Sequence, residues 1–147
     1  MEKGKLYGIG VGPGDPELLT LKAVRLIRDC AIVAVPHKDK NKCFALRIAL
    51  GAVPELSDKP LLEVDMPMTK DEAVRERAYE AGAALLRAEL DAGRDVAFLT
   101  LGDPTVYSTY CYLHERIAAL GYDTEIVPGV PSFCASAAVL NIPLCEN

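Results

Sequence analysis

Two short runs, Ala31-Ile32-Val33-Ala34-Val35 and Val96-Ala97-Phe98-Leu99-Thr100, are apolar almost without a break. A strand with no polar alternation has both faces buried, as in parallel sheets covered by helices on both sides. Other strand-like runs alternate with segments whose apolar residues recur at helical spacing. Residues 6–11 read as a first strand. Residues 18–29 read as a helix with Leu19, Ala23, Leu26 and Cys30 on one face. Asp15 or Thr20 can cap its start, and Pro16 suits a first helical position. Next come the strand 31–35, a helix over 43–50 closed by Gly51, and a weak strand over 61–64.

Residues 70–92 predict a long amphipathic helix with Val74, Ala78, Ala81, Leu85, Ala88 and Ala92 on its inner face, ended by Gly93. The strand 96–100 precedes a helix over 105–120, with Val106, Tyr110, Leu113, Ile117 and Leu120 inward, ended by Gly121. Residues 125–127 close a fifth strand, and 132–140 begin a fifth helix. Five β-α units with short connections predict an α/β fold over residues 1–147, with a five-stranded, mostly parallel, doubly wound sheet.

The chain has 147 residues, half hydrophobic and a quarter charged, which is the balance of a soluble globular domain and not of a disordered one. No apolar run reaches the length of a membrane span. The N-terminal stretch Met1-Glu2-Lys3-Gly4-Lys5 lacks the features of a signal peptide, so a cytoplasmic protein is expected. Cys30, Cys43, Cys111, Cys134 and Cys145 never form a C-x-x-C pair, so no metal site is expected. The net charge of −5 disfavours nucleic acid. One basic stretch, His37-Lys38-Asp39-Lys40-Asn41-Lys42, reads either as a solvated loop or as a contact for a polyanionic small molecule.

Ligands of such sheets bind beyond the carboxyl ends of the strands. Three loops there stand out. The first, Gly8-Ile9-Gly10-Val11-Gly12-Pro13-Gly14-Asp15, invites a dinucleotide reading. The residues argue against it: a G-x-G-x-x-G frame from Gly8 ends on Pro13, which has no N–H for a phosphate, and one from Gly10 ends on Asp15. The acidic residue expected after the second strand is replaced by Pro36-His37. A tight turn that merely needs glycine is the plainer alternative. In the second loop, Leu101-Gly102-Asp103-Pro104-Thr105-Val106-Tyr107, Gly102 permits close ligand approach. Asp103 can accept hydrogen bonds from a cationic or amine-bearing ligand, or cap the next helix. In the third, Val127-Pro128-Gly129-Val130-Pro131-Ser132-Phe133, Ser132 can cap the fifth helix or face a ligand.

Taken in order, Gly10-Val11-Gly12-Pro13-Gly14-Asp15 with Leu18-Leu19-Thr20, then Gly102-Asp103-Pro104, then Pro128-Gly129 with Ser132 resemble the tetrapyrrole methylase family over the whole chain. The resemblance implies S-adenosylmethionine as cofactor, two α/β domains with the cofactor between them, and this chain as the N-terminal one. It implies cofactor contacts at Pro13, Leu101, Gly102, Asp103, Val106, Ser132 and Phe133. It puts Gly12, Gly14 and Asp15 toward the tetrapyrrole. Ala34-Val35-Pro36, Met66-Pro67-Met68-Thr69 and the run from Phe98 to Pro104 continuing into Tyr107-Ser108-Thr109 resemble members that methylate the C(20) meso carbon of precorrin-2 or cobalt-factor II. Members acting on uroporphyrinogen III tend to have an aspartate where His37 stands. The full-length protein is expected to be a homodimer.

Methyl transfer from a sulfonium is a direct displacement, so the absence of a Ser-His-Asp or Cys-His pattern fits. Alignment and exclusion of water do the work. His37 is the titratable group to watch for the final proton loss, against the plainer reading of a surface histidine. His114 reads as structural. A polycarboxylate substrate gives Lys38, Lys40 and Lys42 a use; Lys22 and Arg47 are weaker candidates. Two rivals are diphthine synthase-like protein methylation and a non-catalytic nucleotide-binding module. The apolar Ile142 and Leu144 near the end of the sequence give the further expectation that this stretch alone, lacking a second domain, does not turn over.

Overall fold

The computed structural model describes residues 2–146. Met1, the first residue of the N-terminal stretch, and Asn147, the last of the terminal segment, lie outside the described residues. The strands are β1 (Leu6–Gly10), β2 (Ile32–Val35), β3 (Leu61–Glu63), β4 (Val96–Thr100) and β5 (Thr124–Val127). The helices are α1 (Leu21–Asp29), α2 (Phe44–Ala52), α3 (Glu72–Asp91), α4 (Tyr110–Ala119) and α5 (Ser132–Leu140).

All strand pairs are parallel, in the order β3-β2-β4-β1-β5. The unbroken apolar runs are two of the three interior strands, β2 and β4, and β4 lies at the centre, paired with β2 on one side and β1 on the other. Its side chains alternate between faces, as the two-residue period of a strand requires. Ala97 and Leu99 join Ala23, Ile27 and Ala49 from α1 and α2 in one core. Val96 and Phe98 join Leu86, Leu90, Leu113 and Ile117 from α3 and α4 in the other. The doubly wound sheet is therefore as the sequence predicts.

Four local readings change. The first helix starts at Leu21, after a separate 3-10 turn over Pro16–Leu18, and both candidate caps are used. Asp15 accepts from the Glu17 N–H at the turn, and Thr20 accepts from the Ala23 N–H at α1. Gly51 does not close α2. The helix runs on to Ala52 and stops before Pro54, and Gly51 lies inside it because Pro16 Cγ sits 2.5 Å from where a side-chain Cβ would be.

The third change concerns the inner face of α3, which is Tyr79, Gly82, Ala83, Leu86 and Leu90, while Ala81, Leu85 and Ala88 are exposed. Both stripes have helical spacing. The one carrying Tyr79 and two leucines buries far more apolar area than one made mainly of alanines. The fourth is α4, which begins at Tyr110 and not at residue 105. Tyr107 has φ 53°, outside the right-handed helical region, and breaks any helix there. Leu120, expected on the inner face of α4, is half-exposed beyond its end. Gly93 and Gly121 end α3 and α4 as predicted, at φ 77° and 87°.

No helix among the described residues is long and apolar enough to cross a membrane.

Candidate functional site

Backbone bonding between the segments leaving β1 and β4 continues past the strand ends and closes on an antiparallel bridge. The Val11 N–H donates to the Thr100 carbonyl at 2.9 Å, and Gly12 and Gly102 exchange hydrogen bonds of 3.2 and 2.8 Å. The loop after β5 joins them, because the Gly129 N–H donates to Asp103 Oδ2 at 2.9 Å. A methyl group added at Gly10 would fall 2.5 Å from the Gly102 carbonyl oxygen, and one at Gly129 would fall 2.1 Å from the same atom. The glycines thus let three backbones touch.

Asp103 is the tie of this junction. Its other oxygen, Oδ1, accepts from the Thr105 N–H at 2.8 Å and from the Thr105 hydroxyl at 2.5 Å. Partial burial pushes the carboxyl up, but the Thr105 hydroxyl and the Gly129 and Thr105 N–H groups outweigh it and hold it below its ordinary value. It does not cap α4, which begins seven residues later.

Two hollows open at this end of the sheet. Beyond β1 and β5, a groove of about 920 Å³ is lined by Pro13, Gly14, Asp15, Leu18, Val130, Ser132 and the exposed face of α5. Its only charged lining group is Asp15. Such a groove suits a partly apolar, cationic ligand and disfavours a polyphosphate, which would meet a carboxylate and no cation. Beyond β2 and β4, a cleft of about 580 Å³ is lined by Pro36, His37, Lys38, Asp65, Met66, Leu101, Tyr107 and Ser108, among others. It shares Pro67, Met68 and Thr109 with a further hollow of about 590 Å³ along α3 and α4, which carries Lys70 and Arg75 beside Glu72 and Glu76. The two make one continuous trough.

The expected cofactor residues straddle the junction. Pro13 and Ser132 line the groove, Leu101 lines the cleft, and Gly102 and Asp103 are the junction itself. Val106 is half-buried in the loop after β4, and Phe133 is half-exposed at the start of α5. Ser132 opens α5 without capping it, since Pro131 holds the cap position. Of the expected substrate residues, Gly12 is bonded to Gly102, and Gly14 and Asp15 fall in the groove beside Pro13.

The three lysines do not converge. Lys38 lines the cleft, Lys40 lines a separate hollow with Cys43, Leu46 and Arg47, and Lys42 is exposed at the end of a short 3-10 turn. Lys22 pairs with Glu125, and Arg47 lies 5.2 Å from the Phe44 ring.

His37 sits at the cleft with its Nδ1 accepting the Asp39 N–H at 2.9 Å. In the neutral ring the proton therefore lies on Nε2, so the free polar edge is a donor. As a base it must first release Asp39. His114 is structural, as expected: its Nδ1 lies 3.1 Å from the Tyr110 hydroxyl, and burial lowers its pKa.

Sequence reasoning gave no role to Thr100 or Tyr107. Thr100 is buried at the end of β4, with its hydroxyl 2.9 Å from that of Ser108. Tyr107 is fully exposed on a left-handed backbone. A tyrosine's positive φ leaves no mark in composition or periodicity. The only signal was the run Tyr107-Ser108-Thr109 itself.

Among known proteins, the family model described as Tetrapyrrole (Corrin/Porphyrin) Methylases matches residues 5–147. The chain is 41% identical over 144 residues to the probable cobalt-precorrin-2 C(20)-methyltransferase of Methanocaldococcus jannaschii, spanning 97% of this chain and 60% of that protein. It is 39% identical over 142 residues to the cobalt-precorrin-2 C(20)-methyltransferase of Salmonella typhimurium, spanning 96% and 59%. The crystal structure of uroporphyrin-III C-methyltransferase from Thermus thermophilus complexed with S-adenosylhomocysteine aligns with a TM-score of 0.68 at 29% identity, covering 98% of this chain and 51% of that one. The chain thus spans about 60% of the length of these curated relatives.

Proposed function

The chain belongs to the tetrapyrrole methylase family, and on that premise we propose that the full-length protein transfers a methyl group from S-adenosylmethionine to the C(20) meso carbon of precorrin-2 or cobalt-factor II, in the building of the corrin ring. The observation that carries this reading is the pair of hollows meeting at the Gly12–Gly102 junction, one with a carboxylate and no cation and the other with basic side chains available. The groove has a carboxylate and no cation, which suits a sulfonium cofactor held through Pro13, Ser132 and the backbone around Gly102. On this reading Gly14 and Asp15 belong to the cofactor side and not to the tetrapyrrole side, where the resemblance put them. The trough mixes Lys38, Lys70 and Arg75 with Asp65, Glu72 and Glu76, and it is the basic side chains and His37 that a flat polycarboxylate would meet.

S-adenosylmethionine supplies an electrophilic methyl. The residues of this chain supply placement. Asp103 locks the loops after β4 and β5 together, so groove and trough keep a fixed distance, and alignment of this kind is worth up to ~7–11 kcal/mol. His37 offers its Nε2–H to a substrate carboxylate, and takes up a proton only when Asp39 lets go of Nδ1.

The same reading makes the protein a homodimer of the cytoplasm. Five free cysteines support a reducing compartment, and exposed Val139, Leu140 and Ile142 support burial of α5 against a further surface. Calorimetry on the full-length protein tests the cofactor: S-adenosylhomocysteine binds and NAD and ATP do not. Tight binding of ATP or NAD would favour a nucleotide-binding module, and methyl incorporation into a protein without uptake of precorrin-2 would favour diphthine synthase-like chemistry.

A further inference from the structure

We propose that Tyr107 is the stacking platform for the macrocycle, a specificity-determining residue whose ring is held out over the trough by a strained backbone. The inference rests on the proposed tetrapyrrole reading and deepens it.

Three observations carry it. First, Tyr107 has φ 53°, a conformation that an aromatic residue adopts at a cost of roughly 1–2 kcal/mol. Second, its side chain is fully exposed at 102%, so no packing of its own compensates the strain. The flanks impose it. Val106 N–H donates to the Asp103 carbonyl at 3.1 Å, the Ser108 hydroxyl lies 2.9 Å from Thr100 Oγ1 and accepts from the Tyr110 N–H at 3.2 Å, and Cys111 Sγ donates to the Pro104 carbonyl at 3.1 Å. Tyr110 in turn is anchored in the core against Phe98. The sequence thus spends backbone strain to present a large apolar ring to solvent.

Third, the place is the rim of the cleft that also holds His37, Lys38, Asp65 and Leu101. Met68, 95% exposed, lines the same cleft, so with half-exposed Leu101 three unburied apolar side chains stand among polar ones. A flat conjugated ring with a charged periphery fits that pattern. Its face covers an aromatic ring and a polarisable thioether, and its carboxylates reach the basic side chains. A surface tyrosine without this duty would sit better as asparagine or glycine, which tolerate the left-handed region.

The test uses Tyr107→Gly and Tyr107→Phe in the full-length protein, with precorrin-2 titrated by absorbance and S-adenosylhomocysteine by calorimetry. Glycine removes the ring and the strain together, so Tm stays level or rises while the Kd for precorrin-2 rises about tenfold. S-adenosylhomocysteine affinity stays as in wild type. Phenylalanine keeps the ring and keeps wild-type affinity for precorrin-2.

Wild-type affinity for precorrin-2 in Tyr107→Gly overturns the inference and leaves the methyltransferase reading intact. A fall in Tm together with loss of both ligands shows a structural role and also overturns it. A wild-type protein that binds S-adenosylhomocysteine but not precorrin-2 removes the substrate reading, and the platform with it.

Discussion

Asp103 Oδ2 accepts the Gly129 N–H at 2.9 Å, and this one bond joins the loop after β4 to the loop after β5 across 26 residues of sequence. The carboxylate therefore acts first on the protein. Asp103→Ala leaves a part-buried N–H unsatisfied and removes the Thr105 contacts, so unfolding free energy falls by about 1–3 kcal/mol. On the proposed cofactor contacts, S-adenosylhomocysteine affinity falls as well, because Pro13 and Ser132 lose their fixed spacing from Leu101. Denaturant melts and calorimetry on the same samples check both. Full stability with lost affinity would mean that Asp103 is a direct ligand contact only.

Gly129→Ala puts a methyl 2.1 Å from the Gly102 carbonyl oxygen, a backbone atom that cannot rotate away. The loops must separate, and stability drops by about 1–3 kcal/mol or more. Gly14→Ala meets nothing within 4 Å, so its cost is confined to its own backbone at φ 158° and it should melt above Gly129→Ala. Thermal melts of the pair compare them, and equal Tm values would show that the three loops are not jointed as described.

Only Lys38 of the three loop lysines lines the cleft. Lys38→Gln therefore raises the KM for the tetrapyrrole, more at low salt than at high salt, where screening already weakens the attraction. Lys42→Gln leaves KM unchanged. Equal effects of the two substitutions at both salts would return the loop to a diffuse basic surface.

Glu125 on β5 receives Lys22 from α1 and Lys5 beside β1, which together hold its carboxyl down at about 2. A carboxyl lowered on folding adds stability above its ordinary value of 4.5, and the gain is lost as pH falls toward 2. The groups are partly exposed, so the increment is at most about 1 kcal/mol. Glu125→Gln should be less stable than wild type by that amount at pH 7 and equal to it near pH 2. A gap that does not close in acid would point to packing and not charge.

The sheet was legible because burial on both faces forces unbroken apolar runs such as residues 96–100, and because Gly93 and Gly121 mark helix ends. The inner face of α3 was not, since alanines populate two stripes and only tertiary packing selects the one with Tyr79, Leu86 and Leu90. At the site, the three loops were legible as a set of glycines and prolines. Their mutual contact was not, because Asp103–Gly129 is a long-range bond with no local signature. The lysine-rich loop looked like one patch in sequence, but a 3-10 turn over Lys40–Lys42 splays its charges.

Methyl transfer itself is the most direct test. The full-length protein, incubated with methyl-labelled S-adenosylmethionine and precorrin-2 or cobalt-factor II, should place one labelled methyl on C(20) of the tetrapyrrole, read by mass and by the position of the label. Binding of S-adenosylhomocysteine with no label in either tetrapyrrole, or label at another carbon, would contradict it.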